Sequence, residues 1–379
     1  MARNVLLTLN PGSSTVKLGL FAVENGTAHA FGRGAIDLRR SPLSLHLEEG
    51  ERTTEATLTS AATDDLHEVI DETLEWLNRH FDIGTLQAAA HRVVHGGDRF
   101  DGPVRIDDDT LAAIEALAPM APLHQPQSLR LIRALRRVRP DLPQTASFDT
   151  AFHRTQSDLV RRFALPRALF DEGIKRYGFH GLSYKFIAAE LRRRHPALAA
   201  GRVVVAHLGS GASLCGLHDG VSRDTTMSFS TLDGIPMATR GGALDPGVLL
   251  HLQKVRGLSL DALEDMLYHH SGLLGISGIS ADARELAASE APEAREALAL
   301  LALRVAREVA AVATTLGGLD ALVFTAGIGE HQPAVRAAIC RHLEWLGKVP
   351  VLVLHTDEEQ VIADEACHVL YPSTSGNPS

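Results

Sequence analysis

Short apolar runs broken by clusters of small residues occur twice along the chain in the same arrangement. In the second, Val203-Val204-Val205 is a β-branched run of the kind that forms a buried strand. Leu208-Gly209-Ser210-Gly211-Ala212-Ser213 then turns the chain, Leu214-Cys215-Gly216-Leu217 is apolar again, and Asp219-Gly220 signals a hairpin. In the first, Val5-Leu6-Leu7-Thr8-Leu9 is the strand, Asn10-Pro11-Gly12-Ser13-Ser14-Thr15 the turn, Val16 to Phe21 the second strand and Asn25-Gly26 the hairpin signal. Turns built from such small residues leave backbone N–H groups open to a phosphate. A single turn of this kind is weak evidence. The pair, half a chain apart, predicts a duplicated fold with a nucleotide between its halves.

Residues 31–60 alternate apolar and polar and predict further strands. Thr63 to Phe81 reads as a helix, with Leu66, Val69, Ile70, Leu74 and Leu77 on one stripe and Thr63 or Asp64 as its cap. Ala88 to Val94 is a buried strand running into Gly96-Gly97, with Arg92 inside it. An arginine in that position calls for an anion, either a structural carboxylate or a ligand. Pro119, Pro122 and Pro126 exclude helix interior, and a helix is predicted from Gln127 to Val138. Thr145 to Phe148 is the end of a strand that leaves Asp149 at its C-terminal mouth, the edge where α/β sheets hold ligands.

Tyr177 to Ser183 is a tight loop before a helix over 184–194, and Asp224 to Gly247 is an irregular segment long enough to predict a functional role. Gly272, Gly275 and Gly278 punctuate the next stretch, and Asp282-Ala283-Arg284 enters an Ala-rich helical region reaching Leu316. The strand Leu319 to Phe324 runs into a Gly-rich turn, Thr325 to Glu330, with Pro333 placed for the first turn of a helix; together these predict an anion site. Val351 to Leu354 is a last strand, and Asp357-Glu358-Glu359 opens a closing helix.

Composition narrows the classes. A chain of 379 residues with 45% apolar content predicts two domains, and a net charge of −9 argues against a nucleic-acid partner. The basic clusters at Arg133, Arg136, Arg137 and Arg139 and at Arg192-Arg193-Arg194 read as solvated helix faces. Three scattered cysteines without a CxxC fit a reducing compartment and no disulfide framework or zinc site. Neither a signal segment nor an apolar run of membrane-spanning length appears, so the expected location is the cytoplasm, without membrane attachment. Nineteen histidines include no HExxH spacing, which makes a transition-metal site unexpected.

The motifs LNPGSSTVKLGLF, AHRVVHGG, PLHQP, FDTAFH, YGFHGLSY, AHLGSGASL, GIPMATRGGALDPG, SGLLGISGIS and FTAGIGE follow one another over almost the whole chain. In that order they resemble the acetokinase family of the acetate and sugar kinase, heat-shock and actin superfamily. The resemblance implies a duplicated ribonuclease H-like, actin-like ATPase fold of α/β class, two domains with a nucleotide cleft between them. The first domain would be 1–149 with 357–379 returning to it, the second 150–356 carrying the nucleotide and a homodimer interface. It implies ATP and Mg2+ as cofactors, with Asn10 and Glu358 near the metal and Lys17 on the ATP phosphates. Arg92 resembles the substrate-carboxylate arginine, Asp149 the catalytic aspartate, and His180 and Arg240 the transition-state stabilisers. Val94, Leu123, Phe179 and Thr231 would wall the acid's methyl group, Thr231 standing where the family commonly has proline. Three nucleotide-binding segments are implied: His207, Leu208, Gly209, Ser210 and Gly211; Asp282, Ala283 and Arg284; and Gly327, Ile328, Gly329, Glu330 and His331.

These residue types suit the chemistry. Joining a carboxylate to a γ-phosphate brings two anions together, and Arg92 and Arg240 can offset the repulsion through forked hydrogen bonds that lysine cannot make. The attacking carboxylate is already ionised, so Asp149 reads as a metal or positioning group rather than a base. The sequence departs from the family pattern at Ser210, at Gly241-Gly242-Ala243, at Gln125 and His331 (asparagines elsewhere), and in a shortened stretch between Ile339 and Val351. Three functions follow: a kinase making acetyl phosphate from acetate (or acting on propionate or another short-chain acid), a superfamily ATPase without an acid substrate, or a binding protein that has lost activity. Paired arginines favour the first.

Overall fold

The computed structural model describes residues 4–12, 15–39, 41–50, 52–60, 66–81 and 85–372. Two compact units divide the chain: Met1–Ala151 with Asp357–Ser379, and Phe152–Thr356.

The first unit is built on an eight-stranded sheet of β1 (Asn4–Pro11), β2 (Thr15–Glu24), β3 (Thr27–Asp37), β4 (Ser44–Glu49), β5 (Arg52–Thr57), β6 (Thr85–Val93), β7 (Val104–Arg105) and β8 (Gln144–Phe148). Its order is β5-β4-β3-β2-β1-β6-β8-β7. The second unit holds β9 (Arg202–Leu208), β10 (Ala212–His218), β11 (Val221–Thr225), β12 (Ala321–Thr325) and β13 (Val351–Val353), in the order β11-β10-β9-β12-β13. In the first, β3-β2-β1 pair antiparallel and β1-β6-β8 parallel. In the second, β11-β10-β9 pair antiparallel and β9-β12-β13 parallel. Five strands with the same order and directions, each led by a Gly/Ser-rich hairpin, make this a duplicated α/β fold of the actin-like ATPase type.

Burial explains which runs became strands. All of β8 and β12 is buried, as expected of parallel strands covered on both faces by helices. β2 and β3 alternate in part, as antiparallel strands do where one face of the sheet is less covered. The helix His67–His80 turns Val69, Ile70 and Leu77 onto Leu7, Leu20 and Leu45 of the first sheet's core. The helix Glu358–Leu370 buries Val361, Ile362 and Ala366 in the same unit and packs on β1, β3 and β8. In the second unit, the helix Gly181–Arg194 sends Tyr184, Ile187 and Leu191 into a core with Val203, Val205 and Val323.

Several expectations need correction. Thr325 to Glu330 is not an open Gly-rich turn: a short helix, Ala326–His331, follows β12 directly. Ala326 makes this possible by adopting φ 65°, and its N–H is met by the Glu330 carboxylate at 2.9 Å. The helix expected over 184–194 begins at Gly181, and the one expected from 127 begins at Gln125 with Pro126 in its first turn, where a missing N–H costs nothing. The Ala-rich region is two helices, Ala283–Ala288 and Pro292–Leu316, because Pro292 starts a new one. The proposed caps Thr63 and Asp64, and Ser13 and Ser14 of the first turn, lie outside the described residues. No helix among the described residues is long and apolar enough to cross a membrane.

Candidate functional site

Because β1, β6 and β8 are parallel, their C-terminal ends fall on one edge of the first sheet and bring Asn10, Arg92 and Asp149 together. Arg92 donates to both carboxylate oxygens of Asp149, Nε to Oδ1 at 2.9 Å and Nη2 to Oδ2 at 2.5 Å. Its Nη1 donates to Asn10 Oδ1 at 3.1 Å and lies 4.0 Å from Glu358. Asn10 in turn donates through Nδ2 to Glu358 at 3.0 Å and to Glu359 at 2.7 Å. Lys17, the cross-strand neighbour of Asn10, stands 3.9 Å from Glu359 and is exposed. Burial opposes the charge on Arg92, and Asp149, Glu358 and Glu359 outweigh that and raise its pKa above the usual arginine value. Two cations thus face three carboxylates.

Gln125, at the start of its helix, is fully buried and clamps the strand's continuation, accepting from His95 N–H at 3.1 Å and donating to His95 C=O at 3.0 Å. Val94 is buried beside it. Leu123 is 38% exposed on the preceding turn, so the wall assigned to it is not a buried one.

The second unit assembles its own group. His180 caps the helix Gly181–Arg194 in a left-handed conformation (φ 57°), directly after the buried Phe179. Its ring stacks on that of His207, centroids 4.3 Å apart. Ser183 Oγ lies 2.8 Å from His207 Nδ1 and 2.9 Å from Thr356, whereas His180 Nδ1 lies 2.8 Å from Ser213 Oγ. Ser213 sits opposite His207 in the β9–β10 register, so one hairpin supplies both the stacking and the hydrogen-bond partner of His180.

Arg240 comes from the irregular segment between β11 and the helix Pro246–Lys254. The segment is pinned by Ala238 N–H to Ser210 C=O at 3.1 Å, and by Leu273 and Leu274 N–H to Met237 and Ala238 C=O at 2.8 and 3.0 Å. Gly272 takes φ 62° there, and a Cβ on it would lie 2.2 Å from Met237 O; only glycine admits that approach. Arg240 Nη1 donates to Thr231 C=O at 2.9 Å. Thr231 is buried, and its carbonyl holds the guanidinium in place. Burial lowers the Arg240 pKa below the usual arginine value, with Tyr268 acting in the opposite sense. No carboxylate pairs with Arg240 among the described residues.

Gly211 shows where these groups converge. A Cβ on Gly211 would sit 3.1 Å from Arg240 Nη2 and 3.3 Å from His180 Nε2. The hairpin turn therefore leaves a space, one heavy atom wide, faced by a guanidinium and an imidazole. Around it, Leu208 is buried, Gly209 donates to Gly211 C=O at 3.1 Å, and Ser210 is exposed. Of the remaining segments, the one from Gly327 to His331 begins beside this turn: Thr325 pairs with His207, and a Cβ on Gly209 would lie 3.7 Å from Ala326 Cβ. Asp282 caps its helix through Arg284 N–H at 2.8 Å and pairs with the exposed Arg284 side chain, while Ala283 is buried. Glu330 joins Ala326 N–H to His355 at 2.9 Å, with Gly329 buried and Gly327 and His331 exposed; Ile328 is half-buried. Sequence reasoning missed Glu359, Ser183, Ser213 and Tyr184. Only the hairpin register pointed to Ser213.

Comparison with known proteins accords with this constellation. Residues 5–349 match the model of the acetokinase family. An acetate kinase of Rhodopseudomonas palustris is 45% identical over 349 residues, covering 91% of this chain and 87% of the relative. One of Methylocella silvestris is 41% identical over 387 residues, covering 94% and 96%. Among solved structures, a propionate kinase of Francisella tularensis has a TM-score of 0.88 at 33% identity, covering 96% of this chain and 98% of that one. An acetate kinase of Porphyromonas gingivalis has a TM-score of 0.86 at 30% identity, covering 97% and 100%. The chain belongs to the acetokinase family.

Proposed function

We propose that the protein is an acetate kinase, transferring the γ-phosphoryl group of ATP to acetate to give acetyl phosphate and ADP, and running in reverse as well. The observation that carries this reading is the half-buried Arg240 guanidinium, which has no carboxylate partner among the described residues and meets His180 Nε2 at the space left by Gly211. A desolvated cation is retained when an anion arrives to pair with it.

In the proposed reaction a carboxylate oxygen of the acid forms the new bond to γ-phosphorus while the bond to the β,γ-bridging oxygen breaks. The electron pair leaves with ADP, and no proton is moved because the acid is already ionised. Arg240 and His180 neutralise charge on the transferring group, a task of positioning and electrostatics. Arg92 orients the acid's carboxylate, and the hairpin turn from His207 to Gly211 cradles phosphate oxygens. Asp282 to Arg284 and Gly327 to His331 are assigned to the nucleotide.

Magnesium fits the first unit's carboxylates. Glu358 and Asp149 offer hard oxygen donors, and the cluster has one carboxylate in excess of its cations. Among the described residues no three His, Cys, Asp or Glu side chains form a cage, which suits an ion that takes one or two carboxylates and completes its shell with phosphates and water. Bound there, it would neutralise phosphate charge; Asn10, between Glu358 and Arg92, would keep the donors apart and oriented. A cytoplasmic homodimer completes the reading, and Leu244, Val248, Leu250, Val255 and Leu260 supply exposed apolar surface on the second unit for it.

A propionate kinase among the structural relatives favours a second reading, in which longer acids are also used. ADP release measured with acetate, with propionate and with no acid tests both. Release that depends on acid supports a kinase; release at the same rate without acid identifies an ATPase.

A further inference from the structure

Tyr184 is fully buried, and its hydroxyl lies 2.5 Å from Ser213 Oγ, its one hydrogen-bond partner among the described residues. Ser213 is equally buried and lies 2.8 Å from His180 Nδ1. The two contacts form a chain of three groups, phenol, hydroxyl and imidazole, with water excluded from its first two members.

Counting protons decides its direction. A hydroxyl has one proton to donate, and a neutral imidazole has one donor and one acceptor nitrogen. If Tyr184 donates to Ser213, Ser213 donates to Nδ1, and each proton finds an acceptor. His180 then carries its proton on Nε2. If Nδ1–H donates to Ser213 instead, either Ser213 donates to Tyr184 and the phenolic proton is left buried with no acceptor among the described residues, or Ser213 accepts from both and its own proton is so left. Protonation of both ring nitrogens has the same consequence. A buried donor without an acceptor disfavours a state by a factor on the order of ten or more.

Nε2 is the nitrogen that faces the space beside Gly211 and Arg240. We propose that Tyr184 is a positioning residue: acting through Ser213, it fixes His180 as the Nε2–H tautomer, so that the imidazole presents a donor to the transferring phosphoryl group. This rests on the acetate kinase reading for its consequence, though not for its geometry. The neighbouring residue makes a parallel link, Ser183 to His207, but with Thr356 as an alternative partner it imposes no such direction.

Nitrogen NMR of the full chain labelled with 15N-histidine, with His180 assigned by comparison with His180→Gln, reads the tautomer directly. The wild type should show His180 protonated at Nε2 and bare at Nδ1. In Tyr184→Phe, which keeps the ring, the Nδ1–H form should become detectable, and kcat should fall about tenfold with KM for acetate and ATP within about twofold. Ser213→Ala, which cuts the link at its centre, should show the same pair of changes and serves if the first variant does not fold. A wild-type His180 protonated at Nδ1 overturns the proposal. So does a variant in which the tautomer or kcat, either one, stays as in wild type. A wild type that makes no acetyl phosphate would overturn the functional reading alone, since the nitrogen spectrum judges the direction of the chain without turnover.

Discussion

Arg92 and Asp149 form a two-pronged ion pair at the carboxyl edge of the first sheet, with Asp149 only 1% exposed. Arg240 has no such partner among the described residues. The two arginines assigned to anionic substrate groups are therefore held in opposite ways, and substitution should separate them.

Arg92→Ala removes the two-pronged cationic partner of the buried Asp149 carboxylate. The expected cost is about 3 kcal/mol of stability, the scale of breaking a buried pair from one side. Acetate turnover should also fall, kcat/KM dropping on the order of 10²–10³-fold. Denaturant unfolding and steady-state kinetics on the same preparation check it; near-normal kcat/KM with lost stability would make Arg92 purely structural.

Arg240→Ala should lose a similar 10²–10³-fold in kcat/KM without the stability penalty, because it removes a desolvated cation that pairs with no carboxylate among the described residues. A melting temperature well below wild type would show that Arg240 has a structural partner after all.

Gly211→Ala adds one methyl group to the space between Arg240 Nη2 and His180 Nε2. The residue's φ lies outside the left-handed region, so backbone strain is not introduced. Activity should fall by at least tenfold at near-normal thermal stability, the cost of displacing one oriented donor. Full activity would place the reacting phosphoryl group elsewhere.

Acid should weaken the fold in a defined window. Burial lowers the pKa of His91, His95 and His153 to about 4, against small opposing effects from Gln144, Asp98 and the Phe179 carbonyl respectively. These groups stay neutral when folded and take up protons when unfolded, so the unfolded state binds more protons between about pH 6.5 and 4. Stability is then whole above the upper limit and falls as pH drops through the window. Unfolding midpoints at pH 7 and pH 5 measure it, and a midpoint unchanged or higher at pH 5 contradicts the assignment.

Substrate size is a weaker discriminator. One methylene is worth about 1–3 kcal/mol in an apolar pocket, so acetate and propionate should differ by roughly 10–200-fold at most, with butyrate poorer still. Butyrate as the best of the three acids would contradict the pocket assigned to Val94, Leu123, Phe179 and Thr231.

Much of the fold was legible because strand and helix periods are local. The runs 5–9, 203–205 and 321–324 are buried on both faces and could hardly be anything but strands, and the two small-residue turns announced the duplication. The short helix after β12 was not legible, since it depends on Ala326 accepting a left-handed conformation that no propensity favours. Motifs singled out Arg92, His180 and Arg240, but not what holds them. Asp149 against Arg92, Thr231 C=O against Arg240, and Tyr184 through Ser213 against His180 arise from sheet register and long-range packing, which a linear pattern does not carry. Thr231 illustrates the gap: its side chain can be read from the sequence, but the carbonyl contact to Arg240 cannot.

The central claim is transfer of phosphoryl to a carboxylate, and 31P NMR of the protein with magnesium-ATP and acetate observes it most directly. Acetyl phosphate and ADP should appear in equal amounts, with inorganic phosphate arising only later as the acyl phosphate hydrolyses. ADP accompanied from the outset by an equal amount of inorganic phosphate, and formed as fast without acetate, would contradict it.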